Sequence, residues 1–142
     1  MLPDTQLQTL RARFHSEKAL TLELVCSSLG CSLRSAQRYL ARWSCLHSYN
    51  MNGRYFTLPD IPQFNSAGIW LFQGIGFSRF GNLKDTVVEL VQRSAAGLSI
   101  PELGQLLGGN AYSFMSQFRH DPRLVREKWD GQFVYFFSAH QE

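Results

Sequence analysis

Within nine residues the chain sets Arg34, Ser35, Gln37, Arg38 and Arg42. A guanidinium offers paired N–H donors that suit a phosphate or the two acceptors on a guanine edge, and a glutamine amide pairs in the same two-point way with adenine. On a bare helix the same side chains would only face water, so what they do depends on what positions them. A further arginine, Arg54, follows, and a sparser basic set, Arg119, Arg126 and Lys128, lies near the other end. The remaining reactive residues form no set. His15, His47, His120 and His140 include no pair at the i, i+4 spacing of a helical metal site, and Gly74-Ile75-Gly76 lacks the third glycine of a dinucleotide loop and reads as a turn. No catalytic constellation emerges, so neither an enzyme nor a cofactor is expected.

The elements that would hold the first arginine cluster can be read from spacing and punctuation. Leu7, Leu10 and Phe14 recur with helical period after Asp4, a candidate N-cap, and predict a helix from about Thr5 to Phe14. Thr21 opens a second helix with Leu22, Val25, Cys26 and Leu29 on one face, and Gly30 supplies the left-handed turn that stops it. Ser32 caps a third, about Leu33 to Trp43, which buries Ala36, Tyr39 or Leu40, and Trp43 and leaves the arginine cluster outward. Two strands, Leu46 to Met51 and Arg54 to Leu58, then flank Asn52-Gly53, a dipeptide suited to a type I′ hairpin.

The order recurs. An offset of 78 positions lays Ser16 on Ser94, Leu20 on Leu98, Leu29 on Leu107, Gly30 on Gly108, Ser35 on Ser113, Leu46 on Leu124 and Gly53 on Gly131 without a gap. The second copy then reads as a helix from Leu83 to Ser94, a Ser99-capped helix begun by Ile100-Pro101, a turn at Gly108-Gly109, and a helix capped by Asn110 and running through Phe118. A hairpin of Leu124 to Trp129 and Gln132 to Phe137 closes around Asp130-Gly131, with Val134 to Phe137 apolar enough to be mostly buried. Its third helix presents Tyr112, Ser113, Met115, Ser116, Gln117 and Arg119, a face with few cations. Arg123, Arg126 and Lys128 remain to grip phosphates, while Met115, Tyr112 and Phe114 suit a protein contact equally.

The stretch from Leu22 to Leu40, with its Leu29-Gly30 helix end, Ser32 cap, Arg38 and terminal Leu40, resembles the helix-turn-helix of bacterial transcriptional regulators over about 20 residues. The added hairpin extends the resemblance to winged-helix families over some 55 residues. It implies a mainly α fold with small β-hairpin wings (α+β): two winged helix-turn-helix units in tandem, at 1–60 and 83–142, joined by a connector at 61–82. It also implies double-stranded DNA as partner, with Ser35, Gln37 and Arg38 at base edges, Arg34 and Arg42 on phosphates, and Arg54 on backbone or minor groove. Transcriptional regulation is the expected role, and an adaptor docking protein partners in a larger complex is the alternative.

Composition sets the outer bounds. The chain has 142 residues, 44% hydrophobic and 18% charged, enough apolar content to fold. Its net charge of +3 is uneven. Before Ile61 seven basic residues face four acidic ones, whereas from Arg79 onward the two kinds balance. The connector carries Phe64, Ile69, Trp70, Leu71, Phe72, Phe77 and Phe80, so it should pack, either in a seam between the units or as a face for a homodimer or other protein partner. Cys26, Cys31 and Cys45 are odd in number and lack zinc-ribbon spacing. They read as reduced thiols, with Cys26 a packing residue rather than part of a thiol or metal sensor. With no secretory signal or long apolar run, a cytoplasmic protein with no membrane contact is expected, nucleoid-associated in a bacterium.

Overall fold

The computed structural model describes residues 4–109 and 111–141, with side chains through residue 139. Among these residues the chain is α+β, with six α-helices and three small sheets. It divides into two compact units, one of Met1–Phe64 with Trp70–Phe77 and the other of Asn65–Ile69 with Ser78–Glu142.

In the first unit α1 covers Asp4–Glu17 and buries Leu10 and Phe14. It outruns the apolar periodicity by three residues because its last turn is polar, closed by an i, i+4 ion pair between Arg13 and Glu17. Strand β1 (Leu20–Thr21) leads directly into α2 (Leu22–Leu29), where the Thr21 side chain accepts from the Leu24 amide at 3.3 Å. Gly30 ends α2 at φ 64°, a backbone state that costs other residues about 1 kcal/mol, and its N–H reaches the Cys26 carbonyl. Helix α3 (Leu33–Arg42) starts from a Ser32 cap that accepts the Ser35 amide at 3.2 Å.

Strands β2 (Leu46–His47) and β3 (Tyr55–Thr57) follow, giving an antiparallel sheet of order β1-β3-β2 with Leu20 opposite Phe56 and Leu46 opposite Thr57. Leu10, Phe14, Leu20, Val25, Leu29, Ala36, Leu40 and Leu58 make the core under it, and Cys26, Cys31 and Cys45 pack half-buried against that core.

The expected two-residue turn at Asn52-Gly53 does not form. Strand β2 stops at His47, and Met51, Asn52 and Gly53 take three successive positive φ values of 54°, 56° and 66°. A tertiary bond takes the place of the ladder, as the Tyr49 amide donates 2.9 Å to the Gly76 carbonyl. Gly76 belongs to a hairpin that sequence reading did not foresee, β4 (Ile69–Phe72) and β5 (Ile75–Ser78), turning at Gln73-Gly74 with φ 51° and 82°. On it the Trp70 ring lies 5.5 Å from Phe72 and 5.6 Å from Phe77, so these connector aromatics do pack.

The second unit repeats the order. Helix α4 (Leu83–Arg93) starts from Asn82 and buries Val87, Val88, Leu90 and Val91. Strand β6 (Leu98–Ser99) enters α5 (Ile100–Leu107) through a capping box in which Ser99 and Glu102 satisfy each other's amides. After Gly108 a short α6 (Tyr112–Met115) tightens to a 3-10 turn over Ser116–Phe118. The proposed Asn110 cap lies outside the described residues.

Strands β7 (Leu124–Trp129) and β8 (Gln132–Phe137) pair from Leu124–Phe137 to Trp129–Gln132, and Asp130 and Gly131 take the two positive φ values of a type I′ turn. The sheet order is β6-β8-β7, matching the first unit. Strand β8 is less buried than its composition suggests. Only Tyr135 is fully covered; Val134 and Phe136 are half-exposed on the opposite face, since strands alternate their side chains, and Phe137 is half-exposed at the strand end. No helix among the described residues is long and apolar enough to cross a membrane.

Candidate nucleic-acid interface

Helix α3 is amphipathic at a period of 100° per residue, and that phase decides which side chains are offered outward. Ala36 and Leu40 are buried, and Tyr39 and Trp43 are half-buried beside them. Arg34, Gln37, Arg38, Ala41 and Arg42 are exposed. Arg38 follows Arg34 by about 40° round the axis and Arg42 by about 80°, so the three guanidinium groups wind along one face over about 12 Å.

Among the described residues no carboxylate forms an ion pair with these three arginines. The sequence holds no Asp or Glu between Glu23 and Asp60, while Arg34, Arg38, Arg42 and Arg54 all fall in that interval. The side chains of Arg34 and Arg38 form no hydrogen bond or ion pair among the described residues, and Arg42 lies 5.4 Å from the Tyr39 ring centre. Elsewhere on the unit cations are already engaged: Arg13 pairs with Glu17 and donates 2.7 Å to the Ser28 hydroxyl, and Arg11 lies 4.3 Å over Trp43.

Ser35 sits apart from the other candidates. It is half-buried at the flank of the helix, and its hydroxyl oxygen accepts from Ser32 at 3.2 Å. Leu33 was not singled out by sequence, yet it is 54% exposed beside Arg34. Its spacing from Ala36 and Leu40 is that of a buried position, so periodicity alone gave no sign of its exposure.

Arg54 is exposed at the end of the loop that replaces the expected turn, its Nε donating 3.3 Å to the Met51 carbonyl. That loop is anchored by Asn50, whose amide bonds both Gly74 and Gly76. Beside them burial pushes the Tyr49 phenol up to about 12. Nothing in the local sequence pointed to Asn50.

The second unit builds a different surface. The expectation that Met115 faces outward is wrong: it is 2% exposed, together with buried Ala111 and Phe118. Ala111, Met115 and Phe118 follow the i, i+4, i+7 spacing of a single buried helix face, one that the outward reading of Met115 had placed elsewhere. Tyr112, Ser113, Ser116, Gln117 and Arg119 are exposed.

Arg123 is not available to a phosphate in the way the sequence suggested. It bonds Asp121 through Nε at 3.0 Å and Nη2 at 2.8 Å, and Asp85 through Nη1 at 3.0 Å. Those bonds hold the Asp121 carboxyl down at about 2. On the β7–β8 hairpin, exposed Arg126 and Lys128 share a face of β7 and lie 4.2 and 5.8 Å from the Phe133 ring. Around the other face Ala96, Trp129, Val134 and Phe136 line an apolar hollow of about 370 Å³. Comparison with protein-family models, curated proteins and solved structures finds no match to this chain.

Proposed function

We propose that the chain is a tandem winged-helix protein that binds double-stranded DNA sequence-specifically, with α3 in the major groove, and acts in transcriptional regulation. The α3 face carries the argument. Arg34, Gln37, Arg38 and Arg42 are presented together on the outer side of a capped helix that follows a left-handed glycine turn, with no acidic residue to neutralise them. An exposed helix of this kind fits a major groove, and uncompensated guanidinium groups gain most from a polyanion. Gln37 and Arg38 read base edges, Leu33 meets a thymine methyl, and Arg34, Arg42 and Arg54 hold phosphates. Occupying a promoter needs no cofactor.

Two exposed aromatics favour a second reading for the other unit. Tyr112 is 61% exposed and Trp129 is 60% exposed at the rim of the apolar hollow, features of a protein-contacting surface more than of a phosphate grip. In this reading the second unit docks a protein partner or another copy, with Arg119, Arg126 and Lys128 at its periphery.

Selection from a random duplex library by the full chain tests the main reading. An enriched motif that competes against random duplex supports it. Retention without enrichment, or none at low salt, overturns sequence-specific binding and leaves the adaptor.

A further inference from the structure

Tyr49 is where the first sheet gives up its expected course. Ser48 still completes a rung by donating its amide 2.9 Å to the Tyr55 carbonyl, but the next amide, Tyr49, turns to Gly76 on β5. The Asn50 side chain then closes a two-point clamp on the same hairpin. Its Nδ2 donates 3.0 Å to the Gly74 carbonyl, and its Oδ1 accepts from the Gly76 amide at 3.0 Å. Gly76 is required there by contact, since a Cβ on it would lie 2.2 Å from Cζ of Tyr49.

From the clamp an unbroken run of bonds leads to Arg54. The Asn50 carbonyl accepts from the Ser48 hydroxyl at 2.8 Å and from the Gly53 amide at 3.0 Å. The Met51 carbonyl accepts from the Arg54 amide at 3.1 Å and from Arg54 Nε at 3.3 Å. A loop with three positive φ values in succession has no ladder of its own to fix it, so its shape depends on this anchorage. We infer that Asn50 and Gly76 are positioning residues that brace the loop on the β4–β5 hairpin and so aim Arg54 at the nucleic-acid backbone. The inference rests on the DNA-binding reading above, and adds to it a role for the Gly74-Ile75-Gly76 segment.

The pair matters in concert with Arg54, which separates positioning from general stability. In the full chain, titrated with labelled random-sequence duplex across a salt series, Arg54→Ala should reduce the log–log salt slope by about 0.9, the value of one phosphate contact. Asn50→Ala should lower it by a similar amount, and adding Asn50→Ala to Arg54→Ala should change affinity less than about twofold, because the contact it aims is already gone. Hydrogen exchange supplies a readout that needs no DNA: in Asn50→Ala the amides of Gly53 and Arg54 should exchange faster while those of α2 and α3 keep their protection. Should Asn50→Ala fail to fold, Gly76→Ala displaces the Tyr49 ring from the hairpin side and carries the same readouts.

Full retention of the salt slope in Asn50→Ala, equal weakening with and without Arg54, or unchanged loop exchange overturns the brace. Failure of the DNA reading looks different: Arg34→Ala and Arg42→Ala would then also bind random duplex as the parent does, and the exchange result alone would decide the brace.

Discussion

Replacing Arg42 and Arg38 separately by alanine should produce two different kinds of defect, because they occupy different parts of the α3 face. Arg38 lies between Arg34 and Arg42 on the arginine stripe, about 40° from each, and Arg42 ends the stripe beside the Tyr39 ring. Neither replacement removes an ion pair, and the exposed cation–π contact of Arg42 is worth only about 0.5 kcal/mol, so both variants should melt close to the parent. Three phosphate contacts, from Arg34, Arg42 and Arg54, give a log–log salt slope of about −2.7, or roughly a 40-fold loss of affinity between 50 and 200 mM salt. Arg42→Ala removes one of them, which predicts a slope of about −1.8 and a loss of roughly 12-fold over the same range, alike for specific and random duplex. Arg38→Ala should leave the random-duplex slope almost unchanged and instead lower the specific-to-random ratio by about 1–3 kcal/mol, or 5- to 150-fold. Fluorescence anisotropy at several salt concentrations, with the selected and a scrambled duplex, measures both quantities. The reasoning fails if Arg42→Ala keeps the parent slope, and the division of roles is reversed if Arg38→Ala lowers the slope while discrimination survives.

The remaining predictions concern the frame that carries these surfaces. Gly104→Ala would place a Cβ 2.5 Å from the Gly109 carbonyl, forcing the α5 turn apart at a cost of about 1–3 kcal/mol; an unchanged urea midpoint would count against this packing. Asp121 is held well below the ordinary carboxylate range by Arg123, so its contribution is present above about pH 4 and is lost as pH falls toward about 2. With Arg123 half-exposed, that contribution is about 1 kcal/mol, and Asp121→Asn should remove it from the acid limb of a stability curve without altering its alkaline limb. Tyr49 shifts in the opposite sense: buried neutral and pushed up to about 12, it should stabilise the first unit below pH 10 and lose that contribution as pH rises through about 12. Spectrophotometric titration should show a late-ionising phenol that Tyr49→Phe eliminates.

Local signals sufficed where nothing distant competed with them. The Thr21 and Ser32 caps and the Gly30 stop place α2 and α3, and the periodicity of Ala36 and Leu40 puts Arg34, Gln37, Arg38 and Arg42 on the outer face. Asp130-Gly131 turns its hairpin as the dipeptide suggests. Asn52-Gly53 carries an equally good local signal and forms a different loop, because Tyr49 and Asn50 bond a hairpin more than 20 residues away. Tertiary hydrogen bonds of that range leave no periodic trace, which is why Asn50 was invisible as a site residue. The β4–β5 turn is hidden for a simpler reason: Gly74-Ile75-Gly76 looks like the turn, whereas the turn residues are Gln73 and Gly74.

The 78-residue offset relates the two units well in their frames and poorly in their surfaces, and the cause is geometric. It carries β1 onto β6 and α2 onto α5 residue for residue, because caps and glycine turns fix both ends of those elements. Past Gly108 the third helix has only four α-helical residues, among them Tyr112, Ser113 and Phe114, weaker helix formers than the arginine, alanine, glutamine and leucine of α3. It tightens after Met115, and its buried positions are Ala111, Met115 and Phe118. Carried over by offset, Gln37 on the first face corresponds to Met115 inside the second core, and Arg34, Arg38 and Arg42 correspond to Tyr112, Ser116 and His120. The second unit therefore loses the cationic face twice over, by substitution and by phase. Returning arginines to positions 112, 116 and 120 would restore charge without restoring the α3 arrangement, since the helix that presents them is wound differently. Divergence between the copies lies in helix winding as much as in side-chain chemistry.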